Sequence, residues 1–251
     1  MRALLPLLLV LTLAAGCGDP PAAPTPPLGP LTVTETFSGT VAVGGSRFYS
    51  FVVLPAGTVS LMFGSLTPAG ADTPMATQMA IGIGFPQGTG CTVSSSTLLS
   101  PGLTYQSTVS LGEGTYCVNI ADAGNLSGPA DFAIRIVQNP KETAPGDPGT
   151  TLFFSDLTVG GVATRTFQAT TAGTVRLRLE QLGPPADVTA TIGLGLPQSD
   201  ARGGCNVAVA TVAAAPAEIS VPVAAGTYCA KIADAGSFTG ATTFTINIVR
   251  P

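Results

Sequence analysis

The carboxyl-terminal half of the chain repeats the amino-terminal half, and this repeat limits the fold more than any other feature. The motif GTYC at Gly114–Cys117 recurs at Gly226–Cys229, and IADAG at Ile120–Gly124 recurs at Ile232–Gly236. At this offset of 112, 14 of the 24 positions from 114 to 137 are identical. Each copy has 100 to 110 residues, which is long enough to bury a core of its own. The sequence therefore predicts a tandem duplication of one unit.

Within each copy, apolar and polar side chains alternate with a period of two. The pattern is clear at Val175–Leu179, at Phe244–Ile248 and at Phe132–Ile136. Glycine, proline and aspartate form turn signals between such runs, and no long helical pattern follows the first 16 residues. The sequence therefore predicts an all-β fold of two tandem antiparallel β-sandwich domains, jelly-roll-like, with about eight short strands each.

The first 16 residues have the pattern of an export signal. Arg2 precedes an apolar stretch from Ala3 to Ala15, which is shorter than the ~20 residues of a membrane-spanning helix. The sequence LAAGC at Leu13–Cys17 resembles the lipobox of bacterial lipoproteins. That resemblance implies cleavage before Cys17 and acylation of Cys17. An ordinary secretory signal that happens to end near a cysteine is the alternative.

A proline-rich stretch follows the signal. Six prolines between residues 17 and 30 predict a stiff, extended tether. The predicted organisation is a signal peptide at 1–16, a tether at 17–30, β-sandwich 1 at 31–140, a linker at 141–151 and β-sandwich 2 at 152–251. We expect an exported protein that is anchored to the cell envelope by its lipid, at an outer membrane or cell surface.

The four remaining cysteines recur in the two copies. Four cysteines allow three pairings, and the repeat favours Cys91 with Cys117 and Cys205 with Cys229. Such bridges fit the oxidising compartment that the signal predicts. A cysteine metal site is not favoured because no Cys-x-x-Cys spacing occurs. Strand alternation predicts that the bridges lie on an outer or edge surface, away from the core between the sheets.

The layout of the repeat resembles the pre-peptidase C-terminal (PPC) domain family. The shared pattern is G-x-V, F, AGTV, GTYCxxIADAG and FxIxIV, in that order, in both copies. The resemblance implies a small bacterial β-sandwich that serves as an accessory or binding module. The family's acidic Asp-x-Asp strand pattern is missing at Met79–Phe85, so the resemblance gives no support for a metal role there.

Composition excludes several classes of function. Histidine is absent, which rules out catalysis and metal binding through imidazole. Ten Lys and Arg residues and a net charge of −4 do not suit nucleic acid as a partner. We therefore expect a non-catalytic protein without a cofactor. Its role would be binding, adhesion or scaffolding, with an envelope protein or a glycan as the partner. A carbohydrate-binding surface protein is the alternative, and an accessory module of a secreted hydrolase system is the third interpretation.

A few residues are candidates for specific contacts. Asp122 and Asp234 match between the copies and are either calcium ligands or, as we favour, turn-forming aspartates. Glycan binding usually needs aromatic platforms, and Tyr49 and Tyr105 are the tyrosines that do not alternate with the core set.

Two pairs of glycines recur on one face of a strand, at 82 and 84 and at 193 and 195. Such a bare face either docks a partner or, as we favour, is covered by a neighbouring segment of the chain.

Overall fold

The computed structural model describes residues 32–88, 90–140, 149–198 and 204–251, and in these residues the fold is all-β. This confirms the predicted fold class of antiparallel β-sandwich. The predicted signal peptide, the tether, Cys17 and most of the linker lie outside the described residues, so these predictions stay predictions. Within the described ranges, no helix is long and apolar enough to cross a membrane.

Each copy supplies the strands of two sheets. In copy one they are β1 (Val33–Val41), β2 (Ser46–Val53), β3 (Gly57–Pro68), β4 (Met79–Gln87), β5 (Gly90–Val93), β6 (Thr97–Leu99), β7 (Ser107–Leu111), β8 (Gly114–Asp122) and β9 (Ala130–Pro140). In copy two they are β10 (Thr150–Leu157), β11 (Val162–Ala169), β12 (Gly173–Leu182), β13 (Ala190–Pro197), β14 (Cys205–Ala213), β15 (Ala217–Val223), β16 (Gly226–Asp234) and β17 (Thr242–Val249).

The two copies share one sheet. In copy one, the order β1-β9-β3-β7 forms one layer and β2-β8-β4-β5 forms the other, with β6 also paired to β4. In copy two the equivalent layers are β10-β17-β12-β15 and β11-β16-β13-β14. Because β1 pairs with β11, one layer of each copy joins into a continuous eight-stranded antiparallel sheet. The copies therefore pack as one body.

The second contact between the copies is the pseudo-symmetric equivalent of the first. Strand β10 matches β1 in the repeat, β2 matches β11, and β10 lies beside β2 in the other layer. There the Ser155 hydroxyl donates to the Ser50 carbonyl oxygen at 2.6 Å. One apolar cluster of buried side chains, which includes Phe37 and Phe63 of copy one and Phe153 and Phe244 of copy two, fills the space between the layers.

A buried ion pair lies at the junction of β1 and β11. Glu35 and Arg165 are direct cross-strand partners, and their side chains are 0% and 7% exposed. The Arg165 guanidinium and the Gln138 amide both donate to Oε1 of Glu35, while Oε2 has no partner among the described residues. Burial raises the pKa of Glu35 to about 7, although the charge of Arg165 acts to lower it.

This raised pKa predicts that stability depends on pH. In the unfolded chain the Glu35 carboxyl titrates near 4.5, so between pH 4.5 and about 7 the folded protein holds a proton that the unfolded chain has released. The free energy of unfolding should therefore be highest below this window, fall by about 3 kcal/mol as the pH rises through it, and then level off.

Urea unfolding of wild type and Glu35→Gln at several pH values measures this effect. We expect the difference in free energy between the two proteins to change with pH only within this window. Glu218→Gln is the control, because the Glu218 side chain is 39% exposed and its pKa is lowered, chiefly by a hydrogen bond from Arg178. Parallel pH profiles for wild type and Glu35→Gln would contradict the assignment.

Candidate functional site

The two predicted disulfides are confirmed. Cys91 is bonded to Cys117 and Cys205 to Cys229, with Cα–Cα distances of 5.9 and 5.7 Å. Cys117 and Cys229 are fully buried, yet neither belongs to the apolar cluster between the layers. The bridges therefore lie on the outer faces of their sheets, where the protein's own chain covers them.

The recurring glycines explain how the chain reaches these positions. Cys91 and Cys117 pair with opposite edges of β4, at positions two residues apart, so in a flat sheet their Cα atoms would lie about 12 Å apart. The observed 5.9 Å requires β5 to fold over β4, and a Cβ on Gly84 would overlap the backbone of Thr92. In copy two, a Cβ on Gly195 would overlap the backbone of Asn206.

The same crowding holds at the other glycine of each pair. A Cβ on Gly82 would lie 2.5 Å from the Ser95 carbonyl oxygen, and one on Gly193 would lie 2.6 Å from a methyl group of Val207. Of the two interpretations of the glycine faces, cover by a neighbouring segment is therefore the one that the structure shows.

These contacts predict that alanine substitutions at different glycines will have very different effects on stability. Gly84→Ala and Gly195→Ala should each lower the free energy of unfolding by about 1–3 kcal/mol or more, because the obstructing atoms are backbone. Gly128→Ala and Gly240→Ala are matched controls with open space at the Cβ position, and they should change it by less than about 0.5 kcal/mol. Thermal or urea unfolding with the disulfides intact measures all four, and equal effects would contradict the close packing.

The aspartates considered as calcium ligands form turns. Oδ1 of Asp122 accepts the backbone N–H groups of residues 124, 125 and 126, and Oδ2 accepts that of Gly44 at 2.8 Å. Asp234 makes the same four contacts in copy two, with Gly160 on Oδ2 at 2.9 Å. The following glycines at 124 and 236 have φ of 87° and 88°, as such turns require.

Hydrogen bonds to backbone stabilise the charged form of both carboxylates. For Asp122 the bond from Gly44 is the largest cause of a pKa below the ordinary value. For Asp234 burial acts to raise the pKa, but the bonds from Gly160 and the turn outweigh it and the pKa is lowered. Within the described ranges, no group of three or more His, Cys, Asp or Glu residues is placed to hold a metal ion.

The two tyrosines proposed as ligand contacts differ in position. Tyr49 is fully buried, its ring stacks on Phe37 at 4.9 Å, and its hydroxyl donates to the Ser38 carbonyl oxygen at 2.8 Å. Burial raises its pKa to about 12. The prediction that Tyr49 faces a ligand is therefore wrong, because β2 directs it into the core. Tyr105 is 53% exposed, and its role as a ligand contact stays a prediction.

The structure adds a cleft that the sequence did not predict. It lies in copy one, where the inner face of β4 separates from β7, and it has a volume of about 380 Å³. Phe85 is 63% exposed at its mouth and lies 5.3 Å from the ring of Tyr116. The lining combines apolar side chains with hydroxyl groups at Ser94, Ser95, Thr97 and Ser107. We call it the copy-one cleft.

One wall of the cleft is fixed by hydrogen bonds to the backbone. The Gln106 Oε1 accepts the Phe63 N–H at 2.7 Å, and its Nε2 donates to the Ser100 carbonyl oxygen at 2.7 Å. The loop that leads into β7 is therefore held to the sheet, and this positions Ser107 and Val109 along the cleft.

Copy two shows why the cleft is open in copy one. By register, Ser107 of β7 is equivalent to Ile219 of β15, because both face equivalent leucines of the neighbouring strand. Ile219 is 7% exposed and packs in the core, whereas Ser107 is exposed. Phe85 is equivalent to Leu196, so copy two also lacks the aromatic ring. The cleft is thus a local divergence between two otherwise equivalent units.

Sequence reasoning missed Phe85 and Ser107. The alternation assigns Phe85 only to one apolar position of the Met79–Phe85 strand, and Ser107 lies where the two copies differ in length. The difference between Phe85 and its equivalent Leu196 could have identified this position, because it is aromatic in copy one alone.

Comparison with known proteins gives little to add to this geometry. No protein-family model matches the chain, and no curated protein sequence matches it. Among the solved structures that match is the isomalto-dextranase of Arthrobacter globiformis T6 in complex with panose, at 14% identity and a TM-score of 0.27. The match covers 85% of this chain, which spans about a third (36%) of the length of that enzyme chain.

Proposed function

We propose that the protein is a non-catalytic carbohydrate-binding lipoprotein of the cell envelope, which holds a neutral sugar in the copy-one cleft. The observation that carries this proposal is the exposed ring of Phe85 beside a row of hydroxyl groups. A pyranose ring has one apolar face that stacks on an aromatic ring and hydroxyl groups around its edge. The cleft volume of about 380 Å³ is in the range of small-molecule sites.

The lining of the cleft favours binding over hydrolysis. Its described lining residues contain no carboxylate, lysine or arginine. Glycoside hydrolysis ordinarily uses two carboxyl groups, one as acid and one as base or nucleophile. The ring of Tyr116 lies beside that of Phe85 and belongs to the aromatic wall. The cleft therefore offers contacts to a sugar and supplies no acid or base to break it.

Replacing residues of the cleft with their equivalents from copy two should weaken the binding of a sugar. Phe85→Leu and Ser107→Ile install the copy-two residues and should each weaken binding at least tenfold, because the first removes the stacking ring and the second fills the space. A screen of neutral oligosaccharides identifies the ligand, and isothermal titration calorimetry measures its affinity for each variant.

Leu196→Ala is the matched control, because Leu196 is the equivalent of Phe85 in copy two and is 56% exposed. It should bind as the wild type does. If no neutral saccharide binds, or if Phe85→Leu binds as tightly as the wild type, the proposed site is wrong.

The anchor is tested separately. Radiolabelled palmitate should be incorporated by the full chain in bacteria and not by Cys17→Ser, because the lipobox resemblance places the acyl group on that sulfur. Cys17→Ser should also appear in the soluble fraction while keeping both disulfides. A wild-type protein that takes up no label would instead be secreted without an anchor, and this result would leave the cleft proposal standing.

A further inference from the structure

A second recess lies across the junction of the two copies. It is a trough of about 410 Å³ on the outer face of the eight-stranded sheet, formed by β16, β11, β1, β9 and β3. A smaller recess of about 90 Å³ shares four of its lining residues. We call both together the junction trough. Since β1 and β11 come from different copies, the trough exists only because the copies pair.

One row of side chains crosses the floor of the trough. Lys231, Thr164, Thr36 and Arg135 are successive cross-strand partners on β16, β11, β1 and β9, with neighbours about 5 Å apart. All four line the junction trough. Two hydroxyl groups therefore lie between two cationic side chains in a single line.

The hydroxyl groups of the two threonines in this row have no hydrogen-bond partner among the described residues. Thr36 is 5% exposed and Thr164 is 4% exposed, and neither hydroxyl forms a hydrogen bond within the described chain. Lys231 is half-buried and forms no ion pair with any described residue. Neither of these hydroxyl oxygens is fully enclosed, so a ligand that accepts hydrogen bonds in the trough can reach both.

The equivalent row at the other contact between the copies has a different chemistry. There Asn119, Phe48, Leu152 and Asn247 occupy the positions of Lys231, Thr164, Thr36 and Arg135 respectively. The fold itself therefore does not require cations or hydroxyl groups at these positions. That row has two asparagines and two apolar residues and no charge, whereas the row in the trough has two hydroxyl groups and two cations.

Acidic side chains lie at the opposite end of the trough from Lys231. Asp131 accepts the Thr40 hydroxyl at 2.6 Å and the Gly70 N–H at 3.0 Å, and Asp72 lies on the same rim. The trough thus has Lys231 at its β16 end, and Asp131 and Asp72 together with Arg135 at its other end, toward β9 and β3. A ligand that fits this polarity carries a negative group at one end and hydroxyl groups that donate hydrogen bonds at the other.

We propose that the junction trough binds a saccharide that carries an oxyanion, either a uronate or a sugar phosphate. The oxyanion accepts hydrogen bonds from Thr36 and Thr164 and pairs with Lys231. The sugar hydroxyl groups face the rim of Asp131 and Asp72. This site is separate from the copy-one cleft, and it does not depend on whether the cleft binds a neutral sugar.

Isothermal titration calorimetry at low salt tests the proposal with four probes. These are tri-galacturonate, glucose 1-phosphate, maltotriose and inorganic phosphate. We expect tri-galacturonate or glucose 1-phosphate to bind at least tenfold more tightly than maltotriose and inorganic phosphate, and binding to weaken as salt is added. The preferred acidic probe identifies a carboxylate or a phosphate as the source of the oxyanion.

Variants locate the site. Lys231→Asn, which installs the copy-one residue, and the isosteric pair Thr36→Val with Thr164→Val should each weaken the acidic probe at least tenfold. Arg176→Asn is the control, because it removes an exposed cation that pairs with Glu218 away from the trough. Phe85→Leu should leave this binding unchanged, which separates the trough from the cleft.

Three results would overturn the proposal. The first is equal affinity for tri-galacturonate, glucose 1-phosphate and maltotriose, or no binding of either acidic probe at millimolar concentration. The second is unchanged affinity in Lys231→Asn, with circular dichroism and intact disulfides showing that the variant is folded. The third is inorganic phosphate binding as tightly as the saccharides, which would leave no role for the sugar.

Discussion

The pairing of β1 with β11 is the contact on which the rest of the structure depends. It joins two edge strands that would otherwise expose unpaired backbone groups, and it builds the eight-stranded sheet that both copies share. A shift of register by one residue would move Glu35 to the opposite face of the sheet, away from its buried position beside Arg165. The equivalent positions at the other contact are Thr151 and Tyr49, so the ion pair occurs at one of the two junctions and not at its equivalent.

The two copies agree at the residues that fix the path of the backbone and differ at other positions. Both copies keep the disulfide, the glycine face beneath it and the aspartate turn, because each of these fixes the path of the backbone. Among the positions that differ are residues that line the two recesses, such as Ser107 against Ile219 and Thr36 against Leu152. At the first of these positions Ile219 is buried in copy two, whereas the smaller Ser107 leaves the cleft open in copy one.

The sequence predicted the features that are local or repeated. The alternation of apolar residues gave the strand pattern, and the repeat selected one cysteine pairing of three. The sharing of a sheet between copies was not predictable, because pairing between edge strands carries no signal in the residues of either strand alone. Tyr49 was misassigned for a related reason: β2 carries Phe48 on one face and Tyr49 on the other, and only the position of the neighbouring layer decides which face is the core.

The disulfide explains how one copy tolerates an open cleft. In copy two, β14 continues for nine residues and contacts β15, so the edge of the sandwich is closed. In copy one the equivalent region is divided into β5 and β6, which are four and three residues long. Strands this short contribute few ladder hydrogen bonds, but the Cys91–Cys117 bond holds β5 against β4 and β8 by a covalent link. Because the backbone is fixed there, copy one keeps its fold although the chain beyond Val93 leaves the edge of the sandwich open at the cleft.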